Sequence, residues 1–420
     1  MTRHFVIVLK LADTVFRGMF LLFCTYRLGL SEAGRFGLTA TLIAFICFVL
    51  GYESFNDLQR RAAGQAFGSV RGHLQDKLRF YLTHNLLIVP LAFLALVLAL
   101  DWPLSVIVNV ITIALAEHVS TQSYYAAVLH GRNTPLLVLL AIKNAALLST
   151  TLAVYLLHRE SFTYENILIL WAATSALYIA LSAGTWLVLP GLYNAKETHE
   201  PRERMAARSV PAQYAASWWH FLAGFLAIVA LQVDKAVVGA TLDGQDVGIY
   251  FRNVTLTGLL LQLFSIIYFT RASPRIFAMS REGNIAQSRA VANTEFRRFF
   301  MHSVAAFSTA WAINTALGDP AGRLGVNFLF LCALLVSVLL RAAADFKGVL
   351  LFSVGAARPV LRNQAIAIGV GVVILTSCAL VFGLPGAIAA SVVMPAVYLV
   401  LNRSSVNRWF VADPGIHPSQ

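Results

Sequence analysis

The chain has 420 residues, 58% of them hydrophobic and only 12% charged, and its mean hydropathy is +0.71. That composition excludes an ordinary soluble domain and points to a bundle of transmembrane helices. The formal net charge of +12 would suit nucleic acid in a soluble protein, but no polar stretch here is long enough to hold such a domain.

Twelve apolar segments follow one another: 5–28, 36–52, 80–100, 103–126, 135–157, 166–190, 214–238, 248–271, 297–317, 323–345, 361–382 and 385–402. Each reaches across roughly 30 Å of hydrocarbon as a helix at about 1.5 Å per residue. Arg3, His4 and Lys10 give the first segment the look of a leader. Asp13 and Arg17 interrupt it and no small-residue cleavage site follows, so it is expected to be a retained helix. The four cysteines (Cys24, Cys47, Cys332, Cys378) all fall inside apolar segments without ligand spacing. Neither a disulfide, a metal nor a cofactor is expected.

The loops set the orientation. With the N-terminus in the cytoplasm, cytoplasmic segments hold 23 Lys and Arg residues, and the opposite loops hold only Arg35, Arg159 and Arg323. Cytoplasmic loops carry the excess positive charge in membrane proteins, so both termini are expected inside. This accounts for the net charge without nucleic acid. The long loops 53–79, 191–213 and 272–296 all fall on the cytoplasmic side. Residues 196–213 read as a linker between a bundle over 1–195 and a second over 214–402, with 403–420 as a cytoplasmic tail. Six crossings restore direction, so the halves form a parallel repeat. The expected fold is all-α and polytopic, with twelve transmembrane helices in two six-helix bundles around a central cavity.

A short motif supports the repeat. Glu32-Ala33-Gly34-Arg35-Phe36 enters the second segment, and Asp246-Val247-Gly248-Ile249-Tyr250 enters the eighth, about half the chain later. An acid near a helix N-terminus favours the helix dipole, glycine permits a tight entry, and an aromatic ring suits the interface. The motif is expected to mark equivalent outer ends of the two halves.

Ionisable groups inside a span cost about 2.5–3.5 kcal/mol on insertion scales, so they usually face a cavity or a partner. Arg17, Lys143 and Arg252 are the candidate cavity cations. Asp13, Glu117 and Asp234 are the candidates for ion coupling. Each has a plainer reading. Asp13 and Arg17 are four apart and can neutralise each other. Asp234 with Lys235 sits near the outer end of its helix, and Arg252 can snorkel outward. Arg341 with Asp345 reads as a terminal pair snorkelling inward, and His118 and His220 as packing residues. Arg17, Lys143 and Glu117 are the hardest to explain as surface features. Guanidinium holds phosphate through paired hydrogen bonds and ammonium acts as a point charge, so deep cations suit an anionic substrate. No phosphate-cradling glycine loop, paired metal-ligand motif or nucleophile elbow is present, so an enzyme is not expected.

The chain resembles the Wzx-like flippases of lipid-linked oligosaccharides, within the multidrug/oligosaccharidyl-lipid/polysaccharide exporter superfamily. The resemblance rests on Arg17 in the first helix and Ser31-Glu32-Ala33-Gly34-Arg35-Phe36-Gly37-Leu38. It extends to Asp234-Lys235-Ala236-Val237-Val238-Gly239, Val247-Gly248-Ile249-Tyr250 and Ser273-Pro274-Arg275-Ile276. It implies an inner-membrane protein that moves undecaprenyl-diphosphate-linked repeat units outward for O-antigen, capsule or exopolysaccharide assembly. The two bundles would rock around a cationic cavity. Arg17 matches the family's first-helix cation, whereas Lys143 and Arg252 match only in general location. Implied partners are the lipid-linked anionic oligosaccharide, membrane lipids, a polysaccharide polymerase and a chain-length regulator.

A drug or cation antiporter of the same superfamily is the main rival, and it would favour acids in its cavity. A polysaccharide polymerase or ligase would carry a large outer loop, which the sequence lacks. A major-facilitator transporter would carry a Gly-, Asp- and Arg-rich loop in 53–79, which is not evident. A scaffold would leave the buried charges without purpose.

Overall fold

The computed structural model describes residues 3–52, 67–129, 133–193, 209–316 and 327–411. Most of the proposed linker (196–208), the tail from 412, and Arg60, Arg61, Arg132 and Arg323 lie outside the described residues, as does the side chain of His220. Among the described residues there are twelve α-helices and no strand. They are α1 (Arg3–Arg27), α2 (Leu30–Gly51), α3 (Phe67–Ala99), α4 (Leu104–Leu129), α5 (Asn133–Leu157) and α6 (Tyr164–Tyr193). The second set is α7 (Val210–Thr241), α8 (Gly244–Arg281), α9 (Ile285–Ala316), α10 (Phe328–Ser353), α11 (Ala357–Ala390) and α12 (Val393–Val411).

Hydrocarbon offers no partner to a bare amide, so a span must satisfy its backbone internally. Nine of the described helices are long and apolar enough to cross a membrane. The others, α1, α9 and α12, carry more charge, including Lys10, Asp13 and Arg17 on α1. The outward faces are apolar. Leu86 and Leu98 on α3 are 79% and 77% exposed, and Leu380, Val381 and Phe382 on α11 are nearly as bare. In water such a surface would aggregate; against lipid tails it is the appropriate one. The protein is an all-α, multi-pass membrane protein.

The helices outrun the apolar segments in several places. Residues 272–296, read as a long loop, are almost entirely helical. α8 continues to Arg281, and α9 begins at Ile285. Pro274 therefore lies inside α8 rather than after it. α10 continues to Ser353, which puts Arg341 and Asp345 near its middle instead of its end. Polar helix ends lack the apolar signal that marks a span, so hydropathy alone cuts them short. The expected break at 383–384 is a kink inside α11. Gly383 adopts φ 63°, ψ −147° just before Pro385, and the helix resumes to Ala390. Only glycine takes that backbone conformation readily.

The helices group into two compact units. One comprises Met1–Phe20 and Thr39–Ile228; the other comprises Leu21–Leu38 and Val229–Gln420. The unit bounds fall within α1, α2 and α7. In the first unit α4 lies against α6, and α5 packs on both. Val110, Ile113 and Ala114 on α4 and Ile167, Leu168 and Trp171 on α6 are buried. Phe20 meets Trp171 edge-on with centroids 5.4 Å apart. In the second unit α10 packs on α8 and α12, and α9 packs on α8. Its cores gather Val238, Tyr250 and Leu384, then Tyr268, Phe299 and Phe346, then Leu351, Val360 and Tyr398.

The duplicated motif explains why 21–38 belongs to the second unit. Its two glycines pack against each other's surroundings. A methyl carbon on Gly34 would lie 3.1 Å from the Gly248 nitrogen and 3.0 Å from Val247 Cγ1. One on Gly248 would overlap the Leu30 carbonyl oxygen. These glycines sit within the first turns of α2 and α8, and their function is close backbone approach rather than the tight entry turn that the sequence suggested. Phe36 and Tyr250, the aromatic residues of the two copies, are both fully buried.

Gly248→Val should cost about 1–3 kcal/mol through overpacking, read as a lower Tm of the purified protein in detergent. Gly258→Ala, on the same helix but with nothing within 4 Å, should leave Tm level or raise it. An unchanged Tm in Gly248→Val would show the contact to be slack.

Candidate functional site

Four helices of the first unit bring charge to one place. Lys143 Nζ on α5 donates to Glu117 Oε1 on α4 at 2.5 Å. The Trp171 indole N–H on α6 donates to the same oxygen at 3.3 Å. Arg17 Nη1 on α1 lies 3.7 Å from Glu117 Oε2. One carboxylate thus serves two cations, each from a different helix. Lys143 also stands 5.6 Å from the centroid of the Tyr178 ring, and a π face favours a nearby ammonium.

Asp13 turns to a different partner. Its Oδ1 accepts from Asn144 Nδ2 at 2.5 Å. Asp13 and Arg17 are one turn apart on α1; Asp13 is hydrogen-bonded to α5 and Arg17 forms an ion pair with α4, so each ties α1 to a neighbouring helix. The hydroxyls of Ser175 and Tyr178 on α6 are buried without a hydrogen-bond partner in the structure. They leave polar capacity in a region otherwise closed by apolar packing.

Exposure separates the two cations. The side chain of Lys143 is 2% exposed and that of Glu117 8%, whereas that of Arg17 is 43% exposed. Lys143 is committed to Glu117 at hydrogen-bonding distance. Arg17 is held at a distance too long for a hydrogen bond, and its side chain is partly exposed. An incoming oxyanion could be bound by Arg17 without breaking the Lys143–Glu117 bond.

Arg252, the third cation picked from the sequence, is engaged by backbone. Its Nε donates to the Thr25 carbonyl at 2.8 Å and its Nη2 to the Leu28 carbonyl at 3.0 Å. Those carbonyls end α1, and a helix C-terminus leaves its last C=O groups without intrahelical donors. Arg252 thus caps the end of α1. Asp234 Oδ2 accepts from the Tyr250 hydroxyl at 2.6 Å, and its Oδ1 lies 3.7 Å from Lys235 Nζ. Arg252 and Asp234 belong to the second unit; Asp13, Arg17, Glu117 and Lys143 belong to the first. Arg341 Nε donates to both Asp345 oxygens at 3.1 and 3.2 Å, and its guanidinium stands 5.1 Å from the Tyr398 ring centroid. The pair is thus supported laterally in mid-helix instead of snorkelling inward.

Sequence reading missed Trp171, Asn144 and Tyr178, because an indole, an amide or a phenol in an apolar helix gives no charge signal. The adjacency of Asn144 to Lys143 was the available clue. It also missed His84. Its Nε2 bonds the Val49 carbonyl at 2.9 Å and its Nδ1 bonds the Tyr214 hydroxyl at 2.7 Å. A carbonyl only accepts, so Nε2 carries the proton and Nδ1 of the neutral ring accepts from Tyr214. The bridge ties α2, α3 and the start of α7 together within the first unit. His118 is buried against Tyr81 with ring centroids 5.1 Å apart, and its Nδ1 has no hydrogen-bond partner in the structure.

No protein-family model and no curated protein matches the chain. Solved structures do. An inward-facing multidrug resistance MATE family transporter of the MOP superfamily superposes with a TM-score of 0.64 at 13% identity, covering 97% of this chain and 95% of that one. A MATE transporter of Vibrio cholerae gives 0.62 at 12% identity, covering 96% and 94%. A MOP superfamily transporter of Pyrococcus furiosus, described as having a binding pocket of reversed polarity that suggests a different function, gives 0.62 at 13%, covering 98% and 95%. Across nearly its whole length the chain has the fold of the MATE transporters of the MOP superfamily.

Glu117→Leu should leave Lys143 buried without a counter-charge and lower stability by about 3–5 kcal/mol. Glu117→Leu combined with Lys143→Met should recover most of that loss. Thermal melts of both purified variants would decide, and a double variant no more stable than the single one would show the two charges to be uncoupled.

Proposed function

We propose that the chain is a transporter that moves an anionic, diphosphate-linked lipid oligosaccharide across the membrane by alternating access, as the resemblance to the Wzx-like flippases implies. The observation that carries this reading is Arg17. It is a deep cation on α1, loosely held at 3.7 Å from Glu117 and 43% exposed. Guanidinium binds the oxygens of a phosphate through two parallel N–H bonds, and a diphosphate offers several such pairs. Lys143 keeps Glu117 in place, so that Arg17 is presented without becoming fully neutralised. The reversed pocket polarity named for the Pyrococcus furiosus transporter supports the idea that this fold is not confined to cationic cargo.

The chain acts without covalent chemistry of its own in this reading. Its site is the bacterial inner membrane with both termini in the cytoplasm, as the loop charges suggest. Its cargo passes to a polysaccharide polymerase under a chain-length regulator. Of the candidate coupling acids, Glu117 is tied to Lys143 and Asp234 to Tyr250. Asp13, bonded to the neutral amide of Asn144, is the acid on which proton coupling falls.

A drug antiporter is the second reading, favoured by the multidrug transporters among the structural neighbours. Arg17 discriminates between the two. Arg17→Ala should abolish surface glycan and accumulate lipid-linked repeat units in a strain that depends on this gene, with the protein still present in the membrane. Arg17→Lys should retain part of the activity. Normal surface glycan in Arg17→Ala at native expression would sink the flippase reading, and lost resistance to cationic drugs in the same strain would favour the antiporter. For coupling, Asp13→Asn should flatten the pH dependence of transport into vesicles. A pH profile matching the wild type would remove Asp13 from that role.

A further inference from the structure

Three cations from three helices converge at one end of the second unit. Arg289 stands just over one turn into α9, Lys347 lies about two turns before the end of α10, and Arg403 is in the second half of α12. Arg289 Nη2 donates to Asn407 Oδ1 at 3.1 Å, joining α9 to α12. Lys347 Nζ donates to Asn293 Oδ1 at 2.9 Å, joining α10 to α9. Asn293 is one turn beyond Arg289 and Asn407 one turn beyond Arg403, so amides and cations alternate across the three helices. The charges of Arg289 and Arg403 both bear on the Lys347 ammonium.

The anchoring groups are informative. An asparagine oxygen fixes the position of a cationic head but cancels none of its charge. A carboxylate at 293 or 407 would give the same hydrogen bond with attraction added. The arrangement therefore orders Arg289 and Lys347 and leaves like charges facing one another, which an anion would relieve. Arg403 is exposed, and Arg289 and Lys347 are half-buried, so the cluster is open on one side. It lies near the start of α9, within two turns of the end of α10 and about two turns before the end of α12. In a membrane protein the ends of spanning helices stand at the level of the phospholipid headgroups.

We propose that Arg289, Lys347 and Arg403 form a binding site for the phosphate of an acidic phospholipid headgroup. The guanidinium groups supply directional donors, and Lys347 supplies a point charge at the deeper edge. Asn293 and Asn407 position the cations and leave them available. The lipid bound here is a fixed boundary component of the second unit, distinct from any cargo held by Arg17 in the first.

The test uses the full chain in mild detergent, titrated with phosphatidylglycerol or phosphatidylcholine and read by native mass spectrometry. Phosphatidylglycerol should be retained preferentially. Arg403→Gln should weaken that retention about fivefold, the worth of one cation near a charged headgroup, and Arg403→Lys should restore most of it. Asn407→Asp keeps every cation and adds a carboxylate beside Arg289, and it should weaken retention as well. Arg159→Gln, in the loop between α5 and α6, should leave retention unchanged. Equal retention of the two lipids would overturn the site, as would wild-type retention in both Arg403→Gln and Asn407→Asp, or an equal loss in Arg159→Gln. Millimolar inorganic phosphate should not displace the lipid; displacement would assign the site to a free anion and overturn the headgroup assignment. The readout is lipid binding rather than transport, so its failure leaves the role of Arg17 standing.

Discussion

The placement of Glu117 depends on a constraint that hydrocarbon imposes: an ionised carboxylate there needs its counter-charges at hand. An unmatched charge at a helix centre costs a few kilocalories per mole even on the gentlest insertion scales. Here α5 supplies Lys143, α6 supplies an indole N–H, and α1 supplies Arg17 from farther off. The packing of α4 on α6, with α5 against both, is what lets these groups arrive together. Removing the carboxylate would orphan a buried lysine; removing the lysine would leave the acid with only the Trp171 N–H and the more distant Arg17. The cluster is therefore self-enforcing, and it fixes how α1 is held against the rest of its unit.

The deep cations divide by what holds them. Lys143 is consumed by an acid, Arg252 by the carbonyl ends of α1, and Arg341 by Asp345 with Tyr398 beside it. Arg17 combines a loose ion pair with a partly exposed side chain. Counting buried cations gives an exaggerated picture of an anion-binding interior. Asking which donors are already engaged gives a narrower one, in which Arg17 forms an ion pair at 3.7 Å. The acids differ in their direct bonds: Asp13 bonds to an amide with the charges of Arg17 and Lys143 nearby, while Glu117 bonds directly to a cation.

Much of the fold was legible in the sequence because lipid makes the code simple. Apolar runs mark spans, and all twelve expected helices have counterparts among the described residues. What failed was the length of helices such as α8, α9 and α10. Their polar ends leave the hydrocarbon while the backbone keeps its helical bonds, and hydropathy does not register that continuation. Of the site, Arg17, Glu117 and Lys143 were readable as charges out of place. Their pairing was not, because which faces of α1, α4 and α5 meet is settled by packing, not by spacing along the chain. Arg252 shows the complementary limit. No local pattern tells that its donors will find the end of a helix more than two hundred residues earlier.

The contact between Gly34 and Gly248 has a further consequence. Equivalent positions of two sequence copies meet each other, which is the rule for an isologous interface between identical subunits. Here both partners lie on one chain, and so they are free to differ. In a true dimer every substitution would appear on both sides of the axis. In the fused arrangement Phe36 and Tyr250 occupy matching positions, yet only Tyr250 carries a hydroxyl, and that hydroxyl binds Asp234. Carrying both copies in one polypeptide thus keeps the close approach of the two helix starts while letting one copy alone acquire a polar task.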